Sequence, residues 1–353
     1  MPSRFQELPG SAASVVLVVL FAGAVVTVVV LDPGATVGAD DGPSVESVSG
    51  TGTVTVTYTD TSGASDQFTV AGVDPALASP EHGWAIVDRS SLPSVLRAVD
   101  DDPGNGVVGF GEWALIGAVA TATVPIDGTE LSVVVPAGRD VDPARKAGFI
   151  EAFAGPYPLS PNADRSVVLL SVPDALPHEG LMYSDDRGYV TVEAFWDGDA
   201  HSVWLHEYVH ARQDFRTADG MVWFREASAR YLSARFMQEQ YEGVTAADLR
   251  AELAASPGDE RVVLANRTTW AGTTDHYHAG AQLLAAVDAE IRAETGGEHA
   301  LVDVFRAMNA EDEPVTVERF VGLVERRTGS DERWIAAAIA GDWAAVPANS
   351  RSG

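Results

Sequence analysis

The stretch VWLHEYVHARQDF, from Val203 to Phe215, places two histidines four residues apart, with a glutamate directly after the first. In an α-helix, residues i and i+4 lie on one face, so His206 and His210 can present imidazole nitrogens to one metal ion about 2 Å away. Glu207 lies about 100° further round the helix. There it can reach a water molecule next to the ion and act as a general base. The H-E-x-x-H spacing is a signature of zinc hydrolases.

A catalytic zinc ion needs a third protein ligand, which these two histidines do not supply. The metzincin continuation of the motif requires glycine at 213 and histidine at 216. It is excluded because these positions hold Gln213 and Arg216. The next candidate is Glu226, which stands in the following segment WFREASARYLSARF.

A second pattern, W-x-x-E-x-x-A-x-Y, is formed by Trp223, Glu226, Ala229 and Tyr231. It resembles the motif of the gluzincin zinc metallopeptidases, the clan of the thermolysin-like and M1-like enzymes. The resemblance implies that Glu226, on a second helix, completes a zinc site with the two histidines of the first motif. It also implies that the small residue after the glutamate lets the two helices pack closely.

The resemblance extends from about residue 136 to residue 347. The segment DHYHAGAQLLAAVDAEI looks like the clan's helix whose tyrosine faces the zinc, which makes Tyr277 the expected hydrogen-bond donor to the oxyanion of the reaction. The segment GYVTVEAFW resembles the edge strand that binds an extended substrate as an added strand. A G-x-M-E-N segment, which in the aminopeptidases supplies carboxylates for a free substrate amine, is missing from the sequence, and GLMYSDD at Gly180 does not replace it. This departure argues against an aminopeptidase.

Asp275 is a rival for the role of third ligand. The segment GTTDHYHAG, from Gly272 to Gly280, approaches the G-T-x-D-x-x-Y pattern of aspzincins, in which the aspartate binds zinc. The tyrosine of that pattern would stand at position 278, where this chain has His278. Glu226 is favoured because it follows the first helix by one short connection.

Cysteine is absent from the sequence, so disulfides and thiolate chemistry are excluded. Any metal ion must therefore be held by histidine, aspartate or glutamate. Because the two motifs already fill a zinc site, His201, His276 and His278 are expected at the surface or beside the ligands rather than on the metal.

The chain of 353 residues carries 51 acidic and 23 basic residues, for a formal net charge of -28, and Lys146 is its only lysine. Hydrophobic residues make up 46% of it and the acidic residues are scattered, which indicates a folded protein with an acidic surface. Such a surface resembles that of proteins from extreme halophiles, where salt screens the self-repulsion. The charge argues against nucleic acid as a partner, because no basic stripe is present to contact phosphates.

The N-terminal segment VVLVVLFAGAVVTVVVL, from Val15 to Leu31, is apolar and uncharged, and with the residues before it approaches the span of a bilayer. Arg4 precedes this segment and acidic residues follow it, so the positive-inside bias places the N-terminus in the cytoplasm and the rest outside. We predict a single-pass cell-membrane anchor with an extracellular C-terminal domain. A signal peptide cleaved near Ala39 is the alternative.

The spacing of apolar residues changes along the chain and indicates where strands and helices lie. Alternating β-type runs dominate the first part, where GTVTVTYTD and the following TSGASDQFTVAGV predict a hairpin. The segment DPARKAGFIEAFAG predicts an amphipathic helix with Asp142 as its cap, and helical patterns dominate after Ala227. These patterns predict an α+β fold, with a β-rich N-terminal part before a mostly helical gluzincin-type catalytic domain and one N-terminal transmembrane helix. The predicted units are a cytoplasmic N-terminus (1–11), a transmembrane anchor (12–31), a flexible linker (32–48), a β-rich region (49–135) and a metallopeptidase domain (136–347).

Together the motifs predict a membrane-anchored extracellular peptidase that requires Zn²⁺ and acts on a peptide or protein substrate. His206, His210 and Glu226 are the predicted zinc ligands, and Glu207 and Tyr277 are the predicted catalytic residues. Gln213 and Asp214 are expected to pack or cap the helix rather than act on substrate. Two other functions stay open at this point. One is a surface binding domain that holds zinc without turnover, and the other is a zinc hydrolase that acts on a non-peptide substrate.

Overall fold

The computed structural model describes residues 42–59, 63–100, 102–126, 128–159, 165–184, 186–193, 200–254 and 262–347. The predicted cytoplasmic N-terminus, the predicted anchor and the linker up to residue 41 lie outside these residues. Within the described ranges, none of the helices combines the length and the apolar character that crossing a bilayer requires. The anchor and the extracellular location therefore stay predictions.

A three-stranded antiparallel sheet comes first in the chain. Its strands, in spatial order, are β1 (Ser44–Val48), β2 (Val54–Thr59) and β3 (Ser65–Val70). The predicted β2–β3 hairpin is confirmed by the antiparallel pairing of the two strands. In β2 the predicted alternation holds, because Val54 and Val56 are buried whereas Thr55 and Thr57 are half-exposed. Strand β1 occupies the last residues of the predicted flexible linker. Val45 draws this segment into the core despite the Gly, Pro and Ser residues around it, since its side chain is only 2% exposed.

A second antiparallel sheet of four strands follows, in the order β4-β5-β7-β6. Its elements are β4 (Ala78–Ser79), β5 (Trp84–Asp88), the short helix α1 (Ser94–Arg97), β6 (Val107–Phe110) and β7 (Trp113–Gly117). All four residues of β6 and four of the five in β5 and β7 are buried. This sheet therefore lies inside the molecule rather than on its surface.

The central sheet has five strands in the order β11-β12-β10-β9-β8. They are β8 (Val119–Ile126), β9 (Thr129–Pro136), β10 (Val167–Ser171), β11 (Gly180–Met182) and β12 (Arg187–Val190). Strand β10 runs parallel to β9 and β12, whereas β8 and β11 are antiparallel to their neighbours. Both faces of β10 are buried: Leu169 contributes to the core under the helices, and Val168 and Leu170 contribute to the core shared with the first two sheets.

The identity of the edge strand differs from the prediction. The segment that begins GYV was expected at the edge, but β12 lies inside the sheet, between β10 and β11. Strand β11, from Gly180 to Met182, is the outer strand on this side and runs antiparallel to β12. Three residues without alternation give no strand signal, and β11 is defined only by its pairing with β12.

Eight helices of the described ranges follow the first two sheets, as the periodicity predicts. They are α2 (Pro143–Ala154), α3 (Val203–Ala211), α4 (Trp223–Gln240), α5 (Ala246–Leu253), α6 (Asp275–Glu294), α7 (Leu301–Asn309), α8 (Val317–Thr328) and α9 (Arg333–Ile339). Helix α2 begins at the predicted cap, where the Asp142 carboxylate accepts from the backbone N–H of Ala144 at 2.9 Å.

The described chain is thus β-rich at its N-terminal end and helical at its C-terminal end, which confirms the α+β class. Strand β9 spans the predicted domain boundary near residue 135 and pairs with β10 beyond it. The division at this point stays a prediction.

Candidate metal centre

Helices α3, α4 and α6 bring the residues of the sequence motifs together. The contact between α4 and α6 is close because it is built on small residues. A Cβ atom at Gly280 would lie 2.6 Å from the Cβ of Ala227 and 2.8 Å from the ring of Trp223, so no larger residue fits there without movement. Ala227 is fully buried. This packing carries Tyr277, at the start of α6, to the metal motifs on the other two helices.

Three side-chain atoms converge at the junction of α3 and α4. The Nε2 atoms of His206 and His210 lie 3.1 Å apart, and they lie 3.3 Å and 3.1 Å from the Oε2 atom of Glu226. Among the residues that the structure describes, this is the cluster of His, Asp and Glu side chains able to hold a metal ion. A tetrahedral zinc ion with bonds of about 2.0–2.1 Å separates its ligand atoms by about 3.3–3.4 Å, which fits this triangle.

Hydrogen bonding shows which atom of His210 faces the centre of the triangle. The Nε2 amide of Gln213 donates to the backbone carbonyl of Arg225 at 2.7 Å and to the Ser228 hydroxyl at 3.1 Å. Its Oε1 atom is therefore the one that lies 3.0 Å from Nδ1 of His210. Nδ1 must carry the proton, because Oε1 can only accept. The Nε2 lone pair of His210 then faces the Oε2 acceptor atom of Glu226, an arrangement that a cation stabilises.

Charges around the triangle favour forms that bind metal. Burial lowers the pKa of His206 to about 4, so its imidazole is neutral over most of the pH range. Burial alone would raise the pKa of Glu226, but its contacts with the imidazoles of His206 and His210 outweigh burial and hold the pKa well below its usual range. The pKa of His210 is raised, because its contacts with Glu226 outweigh burial. As the pH falls, His210 is therefore protonated before His206, and protons compete with a metal ion at His210 first.

The Gln213 amide provides a test of this geometry. We expect Gln213→Leu to weaken zinc binding about tenfold to a hundredfold, because it removes the bond that fixes the orientation and tautomer of His210. The measurement is zinc affinity by competition with a chelator of known strength. Ser228→Ala is the matched control: it removes one of the two acceptors of Gln213 and leaves the other, so its effect should be the smaller. Unchanged affinity in Gln213→Leu would contradict the positioning role.

Glu207 lies on the side of α3 that faces strand β11. It is 5% exposed, and within the described residues its Oε2 atom has no hydrogen-bond partner. Burial raises the pKa of its carboxyl group to about 7, and the nearby charge of His210 and the backbone N–H of Met182 oppose this shift. A carboxyl group with a pKa near neutrality can accept and return a proton under ordinary conditions.

Gly180 on strand β11 is the close neighbour of this glutamate. A Cβ atom at Gly180 would lie 2.7 Å from both Cγ and Oε1 of Glu207, and 2.7 Å from a methyl group of Val203. The strand therefore approaches the helix at a distance that only glycine permits. It confines the Glu207 carboxylate from one side.

Tyr277 lies against the same centre from α6. Its ring is parallel to that of His206, with centroids 6.3 Å apart, and its hydroxyl lies close enough to the Glu226 carboxylate to interact with its charge. Burial raises the pKa of Tyr277, and the charge of Glu226 raises it further, so the hydroxyl stays protonated and can donate. The structure thus places the fifth predicted site residue beside the other four.

A cleft of about 860 Å³ gives access to these residues. His206, Glu207, His210, Glu226 and Tyr277 all line it. Its other walls come from strand β11, from the turn after α3 and from the first turn of α4.

The remaining histidines and Asp275 lie outside the triangle. His201 and His278 line the cleft, and Nδ1 of His201 lies 3.3 Å from Oε1 of Glu252. His276 stacks on Trp270, with ring centroids 4.0 Å apart. Asp275, the rival third ligand, is not in the metal-binding cluster.

Two residues that support the site were missed from the sequence. Gln213 was expected only to pack or cap the helix, yet it orients His210. Asn309, at the end of α7, accepts from the backbone N–H groups of Asp214 and Phe215 and donates to the carbonyl of Arg212. It thereby fixes the turn that follows α3. Gln213 depends on its contacts with α4, and Asn309 depends on contacts with a turn almost a hundred residues earlier in the chain. A single sequence gives no signal for either contact.

No protein-family model matches this chain, and no curated protein matches its sequence. Solved structures do resemble it. One is a mutant M1 zinc metallopeptidase from Deinococcus radiodurans bound to a Tyr-Ser-Ala substrate, with 16% identity, a TM-score of 0.47 and coverage of 65% of this chain and 53% of that chain.

A two-domain M1 zinc metallopeptidase mutant bound to L-tryptophan gives 18% identity, a TM-score of 0.46, and the same coverage of 65% and 53%. An aminopeptidase N family protein from Idiomarina loihiensis gives 12% identity, a TM-score of 0.40, and coverage of 63% and 44%. The chain spans about half the length of the solved structures that it matches. These structural neighbours are zinc metallopeptidases and an aminopeptidase family member at low sequence identity, and the functional argument rests on the site's own residues.

Proposed function

We propose that this chain is a zinc-dependent peptidase. The observation that carries the proposal is the triangle of His206, His210 and Glu226, which converges with the spacing of zinc ligands while a buried glutamate adjoins it. In this position zinc would supply Lewis-acid activation of the attacking water and of the scissile carbonyl. Three protein ligands leave a fourth position for the reaction, which is the arrangement of catalytic rather than structural zinc sites.

The proposed proton carrier is Glu207. Its carboxylate takes a proton from the attacking water and returns it to the leaving amine. A pKa of about 7 suits both steps, because the group must be a base in the first and an acid in the second. Strand β11 at Gly180 lies against the carboxylate and limits its movement between the two proton-transfer steps.

Tyr277 is the proposed donor to the oxyanion of the tetrahedral intermediate. Its hydroxyl stays protonated and lies at the Glu226 carboxylate, on the cleft side of the metal ligands. A single well-placed donor of this kind contributes about a hundredfold to a thousandfold in rate.

The setting of the enzyme is also part of the proposal. We propose that the apolar segment 12–31 anchors the chain in the cell membrane and that the catalytic residues face outside. The net charge of -28 suits a protein that works in concentrated salt. Peptides or unfolded proteins are the proposed substrates.

Metal removal tests the proposal. We expect the purified protein to contain one zinc ion per chain and to hydrolyse a generic unfolded protein in molar salt. A chelator should lower this activity at least about a hundredfold, and added zinc should restore it, because the metal contributes several kcal/mol to such reactions. A panel of ester substrates in parallel detects a non-peptide hydrolase. Zinc without any turnover would instead indicate a binding domain.

A further inference from the structure

The arginines that line the cleft differ in whether a carboxylate of the protein pairs with them. Four arginines line the cleft: Arg165, Arg216, Arg225 and Arg230. Two of them are neutralised by carboxylates. Arg165 forms ion pairs with Asp186, at 2.9 Å, and with Asp214. Arg230 forms an ion pair with Glu252 at 2.7 Å and also donates to its backbone carbonyl.

The other two arginines differ from each other in exposure. Arg216 is exposed at the rim, where it donates to the backbone carbonyl of Asp312 at 2.5 Å. Arg225 is half-buried in the wall of the cleft. Within the described ranges its guanidinium makes no hydrogen bond or ion pair, and only the more general electrostatic attraction of the neighbouring Glu226 acts on it.

A partly buried guanidinium without a hydrogen-bond partner makes an unfavourable contribution to the free energy of the substrate-free protein. Arg225 is partly buried in the cleft wall, so its charged group has lost part of its hydration. A carboxylate that enters the cleft would compensate for this loss through two parallel hydrogen bonds, a geometry that the planar guanidinium favours. The chain carries a net charge of -28, so the positive charge of Arg225 inside the cleft is opposite in sign to the charge of the protein as a whole.

Two hydrogen bonds fix the position of the Arg225 main chain beside the proposed metal ligands. Its carbonyl accepts from the Gln213 amide at 2.7 Å and from the Ser228 hydroxyl at 3.1 Å. The residue directly precedes Glu226 in the first turn of α4. The side chain therefore starts from a fixed point beside the reacting centre, as a group that selects substrate requires.

We propose that Arg225 binds a carboxylate group of the peptide substrate, supplied either by an acidic side chain or by the free carboxyl terminus. The inference rests on the proposed peptidase function and adds a substrate class to it. It is consistent with the lack of a G-x-M-E-N segment, the pattern expected to bind a free substrate amine.

The test uses the zinc-loaded protein and matched fluorogenic peptides in concentrated salt. In one set, each residue near the cleaved bond is in turn glutamine or glutamate, and in the other set the carboxyl terminus is free or amidated. We expect kcat/KM to favour the carboxylate member of at least one pair by about tenfold to a hundredfold, the range of a charge-assisted hydrogen bond. The pair that shows the preference identifies the source of the carboxylate.

Variants then assign the preference to a residue. Arg225→Gln should reduce the kcat/KM ratio to about one, and Arg225→Lys should retain part of it, because lysine keeps the charge but not the paired donors. Arg216→Gln is the matched control, since it removes the same charge from the same cleft and should keep the ratio. A preference that persists in folded Arg225→Gln would overturn the assignment.

Failure of this proposal is distinct from failure of the proposed function. Wild-type protein that cleaves these peptides with no preference in any pair overturns the carboxylate site and leaves the peptidase intact. If no peptide is cleaved, the peptidase function fails instead. Calorimetric titration of the same peptide pairs into the zinc-loaded protein then decides the carboxylate site, because equal affinity within every pair overturns it.

Discussion

Glu207→Gln should retain stoichiometric zinc and lose at least about a hundredfold in kcat, because the amide cannot accept the proton of the attacking water. The substitution conserves size, which matters beside Gly180, where there is no room for a larger group. It should also leave the fold stable, because burial already raises the pKa of Glu207 to about 7 and favours a neutral side chain. Metal analysis, thermal melting and steady-state kinetics on the same preparation check these three expectations.

The result separates two roles for this glutamate. Zinc loss together with activity loss would show that Glu207 is a ligand and not a base. Gly180→Ala is a second variant that changes the position of the Glu207 carboxylate and leaves its chemical identity unchanged. Its added methyl group has to displace Glu207, so a loss of rate with zinc retained is expected there too.

The second large effect concerns the third ligand. We expect Glu226→Gln to lower zinc affinity at least about tenfold to a hundredfold, a scale that even changes around the ligands reach. Loss of its charge also removes the attraction that raises the pKa of His210, and the two imidazoles would face each other without a carboxylate. Dialysis against a weak chelator, followed by metal analysis, measures the difference.

Asp275→Asn is the control for the third ligand, because it removes one carboxylate charge from the rival position. Since Asp275 lies outside the metal-binding cluster, its variant should keep zinc through the same dialysis. Retention of zinc by Glu226→Gln and its loss from Asp275→Asn would replace the gluzincin interpretation with the aspzincin one.

Local sequence patterns predicted much of the fold. Helix α2 follows from the cap at Asp142, and the β2–β3 hairpin follows from alternation of valine and threonine. The i and i+4 spacing predicted that His206 and His210 share a helix face, and the resemblance to the gluzincin motif implied that Glu226 would meet them. These predictions depend on residues that are close in the sequence or on a pattern that joins two neighbouring helices.

What the sequence did not reveal depends on pairing between distant segments. Strand β11 has no alternation of its own and becomes the outer strand only through its bonds to β12. Strand β1 was hidden by a composition typical of linkers, although Val45 is buried. That Arg225 has no hydrogen-bond or ion-pair partner among the described residues is visible only in the structure, where the partners of the other arginines in the cleft are known.

The central sheet has a consequence for any attempt to shorten this protein. One side of β10 belongs to the core beneath the helices, while Val168 and Leu170 on its other side belong to the core of the first two sheets. A fragment that starts after the β-rich region would retain every residue of both motifs and yet expose that apolar side to water. We therefore expect the smallest fragment that folds with the candidate metal site to include the N-terminal strands, because they cover the second side of β10.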